Sequence, residues 1–461
     1  MNSLFLDQSI PDLVQGLNEG AIDCRDLAAT TVQVVAKREP ETHAWVDFDS
    51  VQLLADAERA CGRHERGEPR FGLDGIPFGV KDIFNTRNFP TQMGSPAWKG
   101  FTPGNNARVV DSLTGAGALV AGKTVTAEFA VHVLNDTLNP HDSTRTPGAS
   151  SSGSAAAVSA GMVPFALASQ TAGSIIRPAS FCGVWGMKPS FGMIPRTGIL
   201  KTTDSLDTVG FVAAHAHSLR PILDHARVRG PNYPLVYRYV DAAGEHPKAN
   251  GEGWRVGFVR THTWCTATDY ARRETEDLAA RIAREPGFEV EEVRWPAEFE
   301  QAHAAHATIY DKSLSYYFQR EAKFASRVSP VMSDIMSRGG AISVEAFQRA
   351  LRWQETFSDN LGTLFKRYDI VLSLGTASSA PLRGHEELSD PSLIWTLAQV
   401  PSVAAPTFRC PGGLPFGAQF VASRWGDYRL LHGLEELVSR KLLPLGSQSI
   451  RDAEVTVRSG A

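Results

Sequence analysis

The sequence predicts an α/β protein with a large, at least partly parallel β-sheet. Segments with apolar residues at helical spacing alternate with short, strand-like apolar runs along the chain. The composition, 43% apolar and 21% charged, is that of a globular protein with enough apolar material for a deep core. No internal repeat or low-complexity segment interrupts the alternation.

The elements follow in order. The first seventy residues read as helices: Pro11 suits a first helical turn, 21–37 is rich in helix formers, and 51–66 repeats apolar residues at helical spacing. Residues 72–80 read as a turn and then a strand, with Lys81 at the strand's end. A helix is expected over 106–116 and a strand over 118–125. Residues 154–160 form a small-residue helix entered from the Gly/Ser loop 147–153, and 163–168 a short buried strand. Between 256 and 365 the texture changes to charged amphipathic helices with one or two strands. Strands at 368–374 and 417–422 and a final helix at 428–438 close the chain. By length, 461 residues suggest about three domains, yet large α/β enzymes hold chains of this size in one unit. A cut near 225 has no proline- or serine-rich linker to support it.

A formal charge of -4 gives no electrostatic reason to bind nucleic acid or an anionic membrane. The five cysteines are scattered and form no CxxC pair, as expected of reduced thiols in a cytoplasmic protein. Residues 1–9 lack the basic-then-apolar pattern of a secretory signal. Residues 146–176 contain no charged residue and no histidine, which raises the membrane question. Nine serines or threonines, several glycines, Pro147 and Pro164 answer it, because lipid would leave those polar groups unpartnered. The segment reads as a polar-lined stretch buried inside a soluble protein.

Familiar catalytic signatures are missing. There is no GxSxG elbow and no SxxK pair. Gly148 and Gly153 match the outer glycines of a phosphate loop, but Ser154-Ala155 follows where Lys and Ser/Thr are required. His303 and His306 share a helix face without a third ligand at useful spacing, so they read as a solvated face and no metal is implied.

What remains is the stretch from Thr146 through Ser154, TPGASSSGS, followed by Ser169 through Pro178, SQTAGSIIRP. Two Gly/Ser-rich loops flank an apolar helix and strand, carrying hydroxyls and backbone N–H groups into a charge-free interior. Buried polar groups need partners, and serines converging with a lysine would supply them and make a reactive site. This stretch resembles the amidase signature family. The likeness extends to GIPFGVKD at 75–82, to 117–129, to SFCGVWGMKP at 180–189, to SLDTVG at 205–210 and to GLPFGAQF at 413–420.

The resemblance implies a single domain over 1–461 with a large mixed β-sheet flanked by helices on both faces. Its expected parts are N-terminal helices (1–70), a signature core (71–215), a variable helical region (225–365) and the C-terminal part of the core (368–440). It also implies an amidase in which Lys81 is the catalytic lysine, Ser150 the bridging serine after a cis peptide bond, and Ser174 the acyl-forming nucleophile. Thr171, Ala172, Gly173 and Ser174 would supply the oxyanion-hole N–H groups. A serine hydroxyl is a weak nucleophile until a base takes its proton, and burial makes a lysine neutral enough to be that base. Such chemistry needs no cofactor.

The chain departs from the family's usual Asp-Thr-Gly-Gly-Ser, having Gln170-Thr-Ala172-Gly-Ser174, and has Ala149 and Ser152 where glycines are more common. Gln170 retains hydrogen-bonding capacity, and Ala172 requires negative φ. Arg177, three residues after the nucleophile, resembles the malonamidase-like branch. It is expected either to bind a substrate carboxylate or to pair with loop carbonyls and an internal acid. The implied function is a free-standing amidase acting on a small-molecule amide. The alternatives are the catalytic component of a glutamyl-tRNA amidotransferase, which works with partner subunits, and a non-catalytic scaffold. Homodimers are common in the family, and nothing in the sequence decides the point.

Overall fold

The computed structural model describes residues 4–70, 72–242 and 253–448. The ends of the expected domain (1–3 and 449–461), residue 71 at the start of the expected core, and 243–252 in the expected variable region lie outside the described residues.

Eleven strands form one mixed sheet: β1 (Trp45–Phe48), β2 (Pro77–Lys81), β3 (Leu119–Thr124), β4 (Phe165–Gln170), β5 (Trp185–Lys188), β6 (Thr208–Ala213), β7 (Trp254–Val259), β8 (Phe288–Val293), β9 (Ile370–Leu374), β10 (Ser402–Arg409) and β11 (Pro415–Val421). Their spatial order is β1-β3-β2-β4-β6-β5-β10-β11-β9-β7-β8. β2 runs parallel to both β3 and β4, and β7 parallel to both β8 and β9; the other neighbours are antiparallel.

The central strands are covered on both faces, so their sequences are continuous apolar runs rather than alternations. Every residue of β2, β4 and β11 is buried. Phe78 of β2 stacks on Phe165 of β4 with ring centroids 5.1 Å apart, locking the two parallel neighbours together. β8, FEVEEV at the sheet edge, instead exposes glutamates, which discourage edge-to-edge pairing.

The strands expected near 72–80, 118–125, 163–168, 368–374 and 417–422 correspond to β2, β3, β4, β9 and β11. β1, β5, β6 and β10 have no counterpart among the expected strands. β1 and β5 have only four residues each, too few to establish a period, and β10 carries Pro406 inside a register shift between Ala405 and Phe408. The first turn beginning at Ile10 contains Pro11 and is closed by a reciprocal Ser9–Asp12 capping box. Residues 146–176 divide into loop, helix, strand and loop, and among the described residues no helix is long and apolar enough to cross a membrane.

Candidate active site

β2 and β4 are parallel neighbours, so their carboxyl ends lie side by side. Lys81 is the last residue of β2, and the loop after Gln170 leaves the end of β4. The helix Ser152–Ser159 has the sequence SGSAAAVS and is buried throughout. Its small side chains let it pack against the sheet: a Cβ on Gly153 would strike the main chain of Ala44 and Val125. That close seating places Ser150 and Ser151, at the helix entry, over Lys81. The Ala149–Ser150 peptide bond is cis.

Lys81 Nζ hydrogen-bonds Ser150 Oγ at 2.8 Å, Ser151 Oγ at 2.9 Å and Ser169 Oγ at 2.9 Å. The lysine is fully buried. Desolvation pushes its pKa well below the usual lysine value, against a weaker opposing pull from Asp207. Ser151 Oγ also donates to the Ser169 carbonyl, at 3.2 Å. Two other lysines are equally buried but differently surrounded. Lys123 Nζ lies 3.2 Å from the Asp82 carboxylate and donates to the Phe84 and Pro90 carbonyls, with a pKa lowered only to about 8. Lys188 donates to the Pro189 and Val400 carbonyls. Of the three, Lys81 is the one held by serine hydroxyls.

Ser174, in the loop that follows β4, is buried, and its Oγ makes no hydrogen bond among the described residues, so no direct bond joins it to Ser150. The N–H groups of Thr171, Ala172, Gly173 and Ser174 likewise have no acceptor among the described residues. The carbonyls of the same loop are tied down. His306 Nε2 donates to Thr171 O at 2.8 Å, and Thr396 Oγ1 donates to Ala172 O at 2.6 Å. Gln170 completes the brace: its Oε1 accepts from the N–H groups of Ile175 (2.7 Å) and Ile176 (3.0 Å), while its Nε2 donates to Thr396 Oγ1. Thr171 Oγ1 donates to Asp207, whose carboxylate also accepts from the N–H and hydroxyl groups of Thr202 and Thr203. Ala172 lies outside the left-handed region, so its Cβ is accommodated. Gly173 is required by proximity, because a Cβ there would collide with the Asp390 carboxylate and Ser392.

A family model described as Amidase matches residues 26–431. The chain belongs to the amidase family. It is an amide-hydrolysing enzyme. A glutamyl-tRNA(Gln) amidotransferase subunit from Bdellovibrio bacteriovorus is 27% identical over 92% of this chain and 95% of its own length. AtzE, a 1-carboxybiuret hydrolase subunit from Pseudomonas sp. (strain ADP), is 29% identical over 90% of this chain and 95% of its own. Among solved structures, a chain from a vestigial protein complex bearing on the origins of an s-triazine catabolic enzyme, in its inhibitor-bound form, superposes with a TM-score of 0.84. It is 26% identical, and the match covers 95% of this chain and 100% of that one.

In this amidase Arg177 is engaged by the protein itself. Its Nη1 lies 3.1 Å from Glu387 and 3.3 Å from Asp390, and its Nη2 donates to the Ala149 carbonyl at 2.7 Å. It therefore ties the Ser150 loop to the segment that packs on Gly173. The histidines expected on a solvated helix face are placed otherwise. His306 is buried behind the Thr171 peptide, and burial lowers its pKa to about 4, so it is neutral with its proton on Nε2. His303 is within hydrogen-bond distance of His262 (2.8 Å) and of the Asp390 carbonyl (3.1 Å). The helix Ala302–Tyr317 packs this face against the amidase loop instead of water.

Proposed function

We propose that this amidase cleaves the C–N bond of a small amide through an acyl-enzyme on Ser174, with Ser150 and Lys81 moving the proton. The observation that carries the reading is the buried Lys81 amine bonded to three serine hydroxyls next to a loop with four uncommitted N–H groups. A neutral amine has two N–H bonds and one lone pair. Ser151 spends its own proton on the Ser169 carbonyl and so accepts from Lys81. With Ser169 as the second acceptor, the lone pair faces the Ser150 hydroxyl. Ser150 passes its proton to Lys81 and takes the one from Ser174 as Ser174 Oγ attacks the amide carbon. The N–H groups of the 171–174 loop receive the developing oxyanion, each donor contributing on the order of 3 kcal/mol. Collapse of the tetrahedral intermediate breaks the C–N bond, and the proton held at Lys81 returns through Ser150 to the departing amine. Water then attacks the acyl-enzyme, losing its proton along the same route, and regenerates Ser174.

The Gln170–Arg177 loop supports a place beside the malonamidase-like amidases. Two ion-paired carboxylates and one carbonyl acceptor around Arg177 favour its positioning role over capture of a substrate carboxylate. The five free thiols accord with a cytoplasmic location. The test is ammonia release by the purified chain from glutamine, malonamate, neutral aliphatic amides and aryl amides, beside Ser174→Ala and Lys81→Ala. The expected result is release from at least one amide that disappears in both variants. Release that survives in Ser174→Ala removes the proposed nucleophile. The relatives named as amidotransferase and hydrolase subunits supply the second reading, a chain that works only with a partner; silence of the isolated chain on the whole panel would favour it.

A further inference from the structure

Away from the serine cluster, a cavity of about 270 Å³ opens between the helix Ser50–Glu65, the segment after β2 and the start of β3. Leu119, on its floor, pairs with Pro77, at the opposite end of β2 from Lys81. Four guanidinium groups line the cavity, from Arg59, Arg63, Arg70 and Arg87, against a single carboxylate, Asp56. Two are neutralised: Arg59 pairs with Asp56, and Arg63 with the buried Asp74. The other two are not. Arg70 reaches only the Thr114 carbonyl, at 3.3 Å, and the Arg87 guanidinium has no hydrogen bond or ion pair among the described residues.

Both unpaired arginines stand on fixed main chain. The Arg70 N–H donates to Asp74 at 2.9 Å, and the Arg87 N–H donates to Asn106 at 2.7 Å. Their guanidiniums are thus carried by a preformed frame around a concave space. The remaining lining is mixed: Gln52, Thr86, Asn88, Asn106 and Thr114 offer neutral polar groups, and Phe89, Ala118, Leu119 and Val120 a smaller apolar part. Unneutralised, rigidly based arginines around a hollow favour a multivalent oxyanion, since the guanidinium fork binds phosphate oxygens in pairs.

We propose that this cavity is a binding site, separate from the amidase centre, for a small phosphate-bearing molecule held by Arg70 and Arg87. The phosphate comes either free or on an organic body that rests on the mixed polar and apolar lining. The experiment is isothermal titration of the purified chain with inorganic phosphate and with adenosine monophosphate at constant ionic strength. Wild type, Arg70→Gln, Arg87→Gln and Arg352→Gln are compared, the last altering an exposed arginine on the helix Val344–Leu364.

The expected result is saturable binding of one molecule per chain, weakened about tenfold or more by either cavity substitution and unchanged by Arg352→Gln. Tighter binding of the nucleotide than of phosphate assigns the floor to an organic body, and equal binding assigns the site to phosphate alone. Both cavity arginines are exposed, so the variants should keep the wild-type melting temperature and amidase rate. Should a Gln variant fold poorly, Arg87→Lys, which keeps the charge and loses the fork, is expected to weaken binding to a lesser degree. Absence of saturable binding of both probes to wild type, or an equal loss in Arg352→Gln, overturns the proposal.

Discussion

Lys81 and Lys123 stand on neighbouring strands, both fully buried, and what separates them is the immediate company of the amine. Lys123 donates to carbonyls and threonine hydroxyls and faces the Asp82 carboxylate, which offsets part of the desolvation and leaves its pKa at about 8. Lys81 faces three hydroxyls, and desolvation dominates. In the proposed mechanism Lys81 is the general base and must be neutral, so the rate should fall as pH drops through its depressed pKa, far below the range where an exposed lysine titrates. Lys81→Met should reduce kcat by about 10²–10⁴-fold. Stability carries the same signature. Between the folded pKa and the unfolded value of about 10.4, the unfolded chain holds one more proton at this site, so Lys81 makes stability rise with pH across that window. Lys81→Met should remove that increment, seen as a flatter dependence of Tm on pH than in wild type; parallel curves would show that Lys81 is charged in the folded protein. The motifs in the sequence group Lys81, Ser150 and Ser174; the structure bonds Lys81 to Ser150 and gives Ser174 Oγ no hydrogen bond among the described residues. Ser151 and Ser169 were visible only as members of a serine-rich stretch, because their shared bond to Lys81 depends on how the buried helix sits on the sheet.

The element that organises the proposed chemistry is the loop between β4 and the helix Ile176–Cys182. His306 and Thr396 hold its Thr171 and Ala172 carbonyls, and the N–H groups of 171–174 have no acceptor among the described residues, which in the proposed mechanism keeps the donors preorganised. Gln170 is the main brace. Gln170→Leu would orphan the N–H groups of Ile175 and Ile176, at a cost of about 1–3 kcal/mol each. The expected outcome is a lowered Tm with a fall in kcat larger than any change in KM, measured by thermal melts and steady-state kinetics. An unchanged kcat would show that the loop holds its shape without the brace. The sequence anticipated that Gln170 still hydrogen-bonds where Asp is usual. It held no sign of His306 or Thr396, whose bonds to the loop span 135 and 224 residues. Contacts that distant in sequence leave no periodic or local trace, and the i, i+3 spacing of His303 and His306 suggested a solvated face because the packing partner was invisible.

At the scale of the whole molecule, the sheet does the positioning, since two parallel neighbours deliver Lys81 and the 171–174 loop to the same edge. The apolar runs of β2, β4 and β11 were legible because both faces are covered. The order of strands was not, because β3 lies between β1 and β2, and β10 joins β5 from a distant part of the chain. The Phe78–Phe165 stack ties the two site-bearing strands together. Phe165→Ala should destabilise the fold by about 3–5 kcal/mol in urea unfolding and depress the amidase rate with it; a loss below about 1 kcal/mol would mean that the strands are held chiefly by other contacts. The central claim is the acyl-enzyme on Ser174. It is tested most directly by intact-mass measurement of the chain quenched during turnover of a slow amide, followed by peptide mapping. A mass increase equal to the acyl group, located on Ser174 and absent in Ser174→Ala, is the predicted result. An adduct on another residue, or turnover that continues in Ser174→Ala, would contradict it.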